Sequence, residues 1–385
     1  MNDDILTLPR RVFSPEHDAF RDQVRRFVAQ EIAPHHQAWE RAGVVPRELW
    51  RKAGDMGLLC PTAPEPWGGA GGDYLYSAVV LEELAYAHAP GPGFAIHSEM
   101  AVPYLVNFGS DAQKDAWLPN LVSGRSIAGI AMTEPSAGSD LHAMQAQARR
   151  DGEGFRLSGQ KVFISNGQLA DLFIVAARIA GDEAISLFLV DAALPGVRRG
   201  RNLDKLGHHA QDTSEIFFDD VALPAGALLG EQGQGFRYLM KGLARERLTI
   251  CVSCQARAEA VLRDTVAYAA DRKVFGQPLS ELQNTRFVLG AVKADLIAGR
   301  ALVDRLLQEY VDGALDASSA AAAKLWVSEA LGRAADTCLQ VHGGWGYMTE
   351  YPVSRVYADA RVERIAGGSS EIMKEIIART LWPRR

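Results

Sequence analysis

The segment AMTEPSAGSDLHA at residues 131–143 brings hydroxyl groups, carboxylates and small residues together in one turn-forming loop after an apolar run. Thr133 and Ser139 carry hydroxyls that can donate hydrogen bonds, and the small residues between them let a ligand approach the backbone. A loop of this kind suits the noncovalent binding of a polar, flat ligand. Its carboxylates, Glu134 and Asp140, are interpreted as structural. The loop could equally be an ordinary capped turn.

A second candidate segment, QVHGGWGYMTEYPVSRVYAD at residues 340–359, is rich in glycine. Gly343, Gly344 and Gly346 would let backbone amides approach a ligand, and Gln340 adds a directional donor. A helix that ends at a glycine stop explains the three glycines equally well. Taken alone, the segment therefore leaves a binding role open.

The two segments together resemble the signature segments of the acyl-CoA dehydrogenase family, in the same order and at a similar separation. Other stretches resemble the same family: KVFISNG at 161–167, AQDTSEIFFDDVALP at 210–224, DRKVFGQPLSELQ at 271–283 and GGSSEIM at 367–373. The resemblance covers nearly the whole chain. It implies an enzyme that oxidises an acyl-CoA thioester between its α and β carbons, with FAD as cofactor. Within the family, the chain looks most like the long-chain and isovaleryl subgroup.

Three regions of the chain differ in pattern. Residues 1–125 show helical periodicity, with a helix start at Ser14, and are predicted to form an N-terminal α-helical domain. Residues 126–233 contain short β-branched and aromatic runs between turn residues, which predicts a middle β-domain, sandwich-like or barrel-like. Residues 234–385 return to long helices, broken at 312–318, that suit a C-terminal four-helix bundle. The resemblance implies the same α, β, α order.

The composition limits the class of protein. The chain has 385 residues, 48% of them hydrophobic and 23% charged, which predicts a soluble globular protein with a large core. Its net charge of −6 and its lack of basic runs argue against nucleic-acid binding. No run of 18 apolar residues occurs, so no membrane span is predicted. The polar start, MNDDILTLPRRVF, predicts a cytoplasmic protein or one already processed.

The four cysteines are too few and too scattered for a disulfide framework. Cys251 and Cys254 form a CxxC pair, but neither a second pair nor histidines lie nearby in the sequence. On a helix the two residues would lie one turn apart. They are interpreted as small core or surface residues, and no metal site is predicted.

Oxidation of an acyl thioester needs a base for the α-proton. The resemblance offers two positions for a glutamate base: just before the glycine turn near the C-terminus, or on the first bundle helix. Gly367 stands at the first position and has no acid-base group, whereas GLARERLTI on the helix carries Glu246 at the second. The resemblance therefore implies that Glu246 is the catalytic base. As an isolated helix residue it would instead be a solvated carboxylate paired with Lys241, Arg245 or Arg247.

The thioester oxygen gains negative charge as the α-proton leaves, so a fixed donor at that oxygen lowers the barrier. The backbone amide of Gly367 is the candidate donor. Arg247, beside the base, is predicted to be a positioning cation and not a reacting group. The predicted substrate contacts are Ser139, Arg247 and Gly368.

The resemblance also assigns contacts with FAD. In the middle region these contacts are Ile130, Met132, Thr133, Ser139, Phe163 and Ser165. In the C-terminal region they are Arg272, Phe275, Gln283, Gln340, Gly343, Gly344, Ser369 and Glu371.

The two sets of contacts are expected to act differently. The ring of Phe163 is expected against the flavin ring. Arg272 suits a diphosphate and, with the glycine segment, is expected to reach the flavin of a neighbouring subunit. Three alternatives stay open: Arg272 as a surface helix-end cation, Phe275 as a core residue and Ser369 as only a helix N-cap.

The leading hypothesis is a dehydrogenase that converts a medium-to-long-chain or branched acyl-CoA into a trans-2-enoyl-CoA. It would pass its electrons to an electron-transfer flavoprotein. The resemblance implies a homotetramer built as a dimer of dimers. Two alternatives stay open: an acyl-CoA or nitroalkane oxidase-like flavoenzyme that uses oxygen, and a non-catalytic paralogue.

Overall fold

The first region of the chain is helical in the computed structural model, which describes residues 5–382. Its helices are α1 (Pro15–Phe27), α2 (His36–Ala42), α3 (Arg47–Asp55), α4 (Tyr74–Tyr86), α5 (Val102–Phe108) and α6 (Asp111–Val122). Short π-helical segments, Val28–Ile32 and Ile96–Ala101, adjoin α1 and α5. The predicted helix start is confirmed, because Ser14 is the N-cap of α1. A capping box opens α6, where the Gln113 amide donates to Ser110 Oγ at 3.2 Å.

The middle region forms an eight-stranded sheet within the described residues. Its strands are β1 (Ala128–Ala131), β2 (Gln147–Asp151), β3 (Gly154–Ser165), β4 (Leu172–Ile179), β5 (Ile185–Asp191), β6 (Val197–Asn202), β7 (Thr213–Leu223) and β8 (Leu228–Leu229). The spatial order is β6-β7-β3-β2-β4-β5-β8, with β1 parallel to β4. The end strands β6 and β8 do not pair with each other among residues 5–382, so the sheet does not close into a barrel. β1 leads directly into the loop at 131–143.

The last region is helical again. Its helices are α7 (Gly235–Asp271), α8 (Gln283–Val311), α9 (Ala317–His342), α10 (Pro352–Ala360) and α11 (Ser370–Ala378). A short hairpin, β9 (Lys273–Val274) and β10 (Gln277–Pro278), links α7 to α8. The predicted break at 312–318 is confirmed, since Asp316 caps α9 by accepting hydrogen bonds from the Ser318 and Ser319 amides. In place of a long fourth helix, α10 and α11 pack on α9.

Helix α7 is the element that ties the two helical regions together. It packs on α8 and α9 of its own region and on α4 of the first region. Tyr74, Leu75 and Leu81 of α4 share one buried apolar core with Leu248 and Val252 of α7. The buried side chains of α7 are therefore held in place by packing against helices on several sides.

The four cysteines are buried and unpaired. Burial raises the pKa of Cys60 and of Cys251 to about 12, and the pKa of Cys338 to about 11. Cys251 and Cys254 occupy buried positions on α7, so the interpretation of this pair as small core residues is confirmed. Among residues 5–382, no helix is both long and apolar enough to span a membrane.

Candidate active site

Glu246 is a buried carboxylate on α7, with only 5% of its surface exposed. The hydroxyl of Tyr104, on α5, donates a hydrogen bond of 2.7 Å to Glu246 Oε1. Burial raises the pKa of Glu246 to about 7, although the hydrogen bond from Tyr104 and the charge of Arg247 both favour the ionised form. A carboxylate that titrates near neutrality in an apolar setting has the proton affinity that a general base needs.

The alternative in which Glu246 is a solvated, ion-paired carboxylate is wrong. Arg245 turns away to Glu99, with Nε 3.1 Å from Oε2, and also donates to Thr62 Oγ1 at 3.0 Å. Lys241 is exposed and lies five residues before the buried Glu246. Within residues 5–382, no cation lies within ion-pair distance of the Glu246 carboxylate.

The turn at Gly367 and Gly368 lies against the same face of α7. Both glycines have left-handed backbone, with φ +65° and +97°. A Cβ at Gly367 would lie 2.5 Å from the Cδ1 of Ile250, one helical turn after Glu246. Lys324 of α9 holds the turn by donating to the Gly368 carbonyl at 2.6 Å. The structure therefore brings the predicted base and the predicted amide donor onto one side of one helix.

Arg247 lies in the same cluster and is only 4% exposed. A Cβ at Gly368 would lie 3.9 Å from Arg247 Nη2. The buried Nε of Arg247 has no hydrogen-bond partner among the described residues, and burial lowers the pKa of this guanidinium. An unpaired buried donor is costly, so this position favours an acceptor supplied by a bound molecule.

A second group of predicted residues surrounds the loop at 131–143. Lys161 of β3 donates to the Met132 carbonyl at 3.0 Å and to Glu134 Oε1 at 2.8 Å. Glu134 also accepts hydrogen bonds from two backbone amides, so its structural interpretation is confirmed. Asp140 is confirmed as structural too, because it caps a short 3-10 turn through the His142 amide.

Phe163 stands beside this loop at a β-bulge of β3. Its φ of +61° is unfavourable for a residue with a side chain, and its ring is 67% exposed. The amide of the preceding Val162 donates to the Thr133 carbonyl at 2.9 Å, which joins the bulge to the loop. Ile130 lies in β1, which contacts β3, and Ser165 ends β3. The predicted flavin contacts of the middle region are thus neighbours.

A third group gathers at one end of the C-terminal helices. Arg272 follows the end of α7, Gln283 begins α8, and Gln340 lies in the last turn of α9 before the exposed Gly343 and Gly344. The ring of Tyr268 stacks on His342 with centroids 4.2 Å apart, which joins the ends of α7 and α9.

Phe275 belongs to this third group. It lies at the tip of the β9–β10 hairpin with φ +50° and is 96% exposed. The alternative of a core residue is therefore wrong. Among the described residues, no hydrogen bond, ion pair or ring contact joins this group to the loop at 131–143. The described residues of one chain therefore do not bring this group and the loop into contact.

Ser369 is the N-cap of α11, where its Oγ accepts a hydrogen bond from the Ile372 amide at 3.4 Å. Ser369 is thus an N-cap, and an additional anion contact by Ser369 and Glu371 stays a prediction. Sequence reasoning missed Tyr104 and Lys324, whose partners lie far away in the chain. It also missed Gly242, one turn before Glu246, although a glycine inside a strongly helical pattern is a usable signal.

The residues present fit a flavin. Within residues 5–382, six of the predicted polar contacts make no side-chain hydrogen bond to the protein: Thr133, Ser139, Ser165, Arg272, Gln283 and Gln340. The exposed ring of Phe163 adds an aromatic face, and the positions of Gly343 and Gly344 open onto free space. Unused donors, a free cation and an aromatic face suit a ring system that carries a diphosphate.

The chain matches three family models in sequence. Residues 14–125 match the N-terminal domain of acyl-CoA dehydrogenase, residues 129–221 match the middle domain, and residues 233–382 match the C-terminal domain. Long-chain specific acyl-CoA dehydrogenase, mitochondrial, of Mus musculus is 48% identical over 97% of this chain and 88% of that protein. Isovaleryl-CoA dehydrogenase, mitochondrial, of Oryza sativa subsp. japonica is 33% identical over 96% of this chain and 92% of that protein.

Solved structures agree with the sequence comparison. Acyl-CoA dehydrogenase from Geobacillus kaustophilus superposes with a TM-score of 0.95 at 42% identity, over 97% of this chain and 100% of that chain. Acyl-CoA dehydrogenase complexed with FAD from Bacillus anthracis superposes with a TM-score of 0.90 at 30% identity, over 96% of this chain and 67% of that chain. The chain therefore belongs to the acyl-CoA dehydrogenase family of FAD-dependent oxidoreductases that act on CH–CH bonds, in the subgroup of the long-chain and isovaleryl enzymes.

Proposed function

We propose that this protein converts an acyl-CoA into a trans-2-enoyl-CoA with Glu246 as the base that removes the α-proton. The observation that carries the proposal is the burial of Glu246, whose pKa is raised to about 7, beside the Gly367 turn. A carboxylate with a pKa of about 7 is roughly half ionised at neutral pH, and its ionised form takes up a proton readily.

The chain's own groups perform the acid-base part of the reaction. Glu246 accepts the proton, and the amide of Gly367 donates to the thioester oxygen as that oxygen gains negative charge. The left-handed turn, anchored by Lys324, presents this amide in a fixed direction, so little reorganisation is needed during the reaction. Arg247 lies beside the base as a positioning cation, and Ser139 and Gly368 complete the substrate contacts.

FAD supplies the acceptor for the β-hydride when it is bound, because no protein side chain can accept hydride. The residues that would hold it in the middle region are Ile130, Met132, Thr133, Ser139, Phe163 and Ser165. Those in the C-terminal region are Arg272, Phe275, Gln283, Gln340, Gly343, Gly344, Ser369 and Glu371.

We propose that the chain works as a homotetramer, a dimer of dimers, in which the group of Arg272, Gln283, Gln340, Gly343 and Gly344 serves a neighbouring subunit. Two observations support this arrangement: among residues 5–382 no hydrogen bond, ion pair or ring contact joins this group to the loop at 131–143, and Phe275 projects from the hairpin with 96% of its surface exposed. A large exposed aromatic side chain favours an interface.

The proposed substrates are medium-to-long-chain or branched acyl-CoA thioesters, and the proposed electron acceptor is an electron-transfer flavoprotein. The long-chain relative supports the first substrate class, and the isovaleryl relative supports the second. Both relatives are named dehydrogenases, which favours a protein acceptor over oxygen.

The test is anaerobic mixing of the yellow holoenzyme with isovaleryl-, citronellyl-, octanoyl- and palmitoyl-CoA, followed by the loss of the oxidised flavin band. At least one substrate is expected to bleach the wild type. Glu246→Gln keeps the shape and the hydrogen bond from Tyr104 but removes the base, so reduction should slow by about 10²- to 10⁴-fold with FAD still bound. Glu48→Gln, at a largely exposed carboxylate, is the matched control and should reduce normally.

Three results would contradict parts of the proposal. Near wild-type reduction by FAD-loaded Glu246→Gln would refute the base assignment. Rapid reoxidation of the reduced enzyme by air, with no protein acceptor, would favour an oxidase. A colourless protein that does not take up FAD would favour a non-catalytic paralogue.

A further inference from the structure

Tyr104 makes the one hydrogen bond that the Glu246 carboxylate receives from the described residues. The tyrosine lies on α5 and is 3% exposed, so its hydroxyl reaches the base from a different wall of the site. The contact is with Oε1 only. Oε2 receives no hydrogen bond from residues 5–382, so the two oxygens of the base are not equivalent.

The direction of this hydrogen bond is fixed. Burial raises the pKa of Tyr104 well above its ordinary value, so the hydroxyl stays protonated across the range in which Glu246 titrates. Tyr104 is therefore the donor and Glu246 is the acceptor. A donor held to a carboxylate stabilises its ionised form, which is the form that can accept a proton from a substrate.

Gly242 provides the space for this contact. It lies one turn before Glu246 on α7, and a Cβ built there would lie 2.3 Å from the Tyr104 hydroxyl oxygen. The same Cβ would lie 3.2 Å from Glu246 Oε1. Any larger residue at position 242 would displace the hydroxyl, since real carbon atoms do not approach so closely. Tyr104, Gly242 and Glu246 thus form one sterically matched unit.

We propose that Tyr104 is a positioning residue that holds Oε1 of Glu246 and leaves Oε2 as the oxygen that takes the substrate proton. Gly242 is the opening that admits the tyrosine hydroxyl. This inference rests on the proposed function, because it assumes that Glu246 is the base.

The electrostatic surroundings of Glu246 are simple. Tyr104 faces it from α5, and Arg247 acts on it from α7. The other cations on this stretch of α7 are committed elsewhere, since Arg245 pairs with Glu99 and Lys241 is exposed. A change in the titration of the base on altering Tyr104 is therefore attributable to the lost hydrogen bond.

The test compares the pH dependence of anaerobic flavin reduction in holoenzyme variants, with the member of the four-compound panel that bleaches the wild type fastest. Tyr104→Phe removes only the hydroxyl, so the pKa of the base rises. The acid limb of the pH–rate profile, where the rate falls as the base is protonated, then moves to higher pH. Reduction should slow about tenfold at roughly pH 6 and change far less at about pH 9. Acyl-CoA affinity should stay within about twofold, because the hydroxyl serves the base and not the substrate.

Tyr238→Phe is the matched control. Tyr238 is also buried, stacks on Phe108 at 4.0 Å between centroids, and accepts a hydrogen bond from the Glu231 amide. Its hydroxyl does not touch Glu246, so the acid limb should match the wild type. A merely structural role for Tyr104 would make both variants behave alike.

Gly242→Ala tests the same unit while Tyr104 is kept. The added methyl group should push the hydroxyl off Oε1 and move the acid limb in the same direction as Tyr104→Phe. Gly290→Ala is its control, because Gly290 lies within α8 with open space at the Cβ position. It should leave the pH profile unchanged.

The outcomes separate the inference from the proposed function. An acid limb that stays at its wild-type pH in both Tyr104→Phe and Gly242→Ala, with Glu246→Gln inactive, would overturn the role of Tyr104 alone. A fully active Glu246→Gln would overturn the proposed function and this inference together.

Discussion

Lys161→Met is expected to loosen the loop at 131–143 and to cost the protein much of its stability. Lys161 is fully buried, and its ammonium donates to Glu134 Oε1 at 2.8 Å and to the Met132 carbonyl at 3.0 Å. Methionine has nearly the same length but supplies no charge and no donor. The substitution therefore leaves the Glu134 carboxylate buried without its cation.

The cost follows from the contacts that remain. Removal of one partner from a buried ion pair typically costs about 3–5 kcal/mol, because the other charge stays buried and uncompensated. The Gln145 and Ala146 amides still donate to Glu134, at 2.6 and 2.9 Å, so the lower end of that range, about 3 kcal/mol, is expected. The Met132 carbonyl also loses its donor, which frees the backbone beside Thr133.

The assay is denaturant unfolding of the FAD-free protein, followed by circular dichroism, together with the FAD content of the purified variant. Arg198→Met is the matched control, since Arg198 pairs with Asp219 at 2.6 Å on the surface of the same sheet. An exposed pair contributes about 0–1 kcal/mol. Equal losses of unfolding free energy in the two variants would refute the argument from burial, and full FAD content in Lys161→Met would refute the link to the loop.

Two further predictions concern the glycine turn and the subunit contact. Gly367→Ala should lose most flavin reduction, measured with the four-compound panel, because its Cβ would strike Ile250 and shift the amide. Gly313→Ala is the control, since Gly313 has φ +70° and open space at the Cβ position. It should have a similar left-handed strain of about 1–2 kcal/mol but keep activity. Phe275→Ser should lower the mass measured by light scattering and release FAD, whereas Leu206→Ser, at another exposed apolar residue, should do neither. An active Gly367→Ala, or a Phe275→Ser variant that keeps its mass and FAD, would contradict these expectations.

The order of helical, β and helical regions is predictable because the periodicity of apolar residues depends only on residues that are close together in the sequence. The chain breaks between α8 and α9 where Asp316 can cap a helix, and α1 begins after Ser14 for the same reason. Glu246 is also accessible to sequence reasoning, through the resemblance and the glycine at position 367. These features depend on neighbours in the chain or on motifs.

The rest of the site depends on contacts between distant residues. Tyr104 lies 142 positions from Glu246, and nothing near it in the sequence marks it as a partner of the base. The exposure of Phe275 and the left-handed backbone of Phe163 are likewise outcomes of tertiary structure, which overrides the expectation that a phenylalanine is buried in regular backbone. Gly242 is the exception, because a glycine inside a helical pattern is unfavourable and is therefore a signal that the sequence itself provides.

The four buried thiols can report when the native structure of this protein opens. A thiol reacts as its thiolate, so the raised pKa values of Cys60, Cys251 and Cys338 keep them unreactive while the native packing lasts. The rate at which a thiol reagent reacts therefore measures how often the native structure opens, and not how often the reagent meets the protein surface. Because Cys60 belongs to the first region and the others to α7 and α9, the order in which they react reports which part of the molecule opens first.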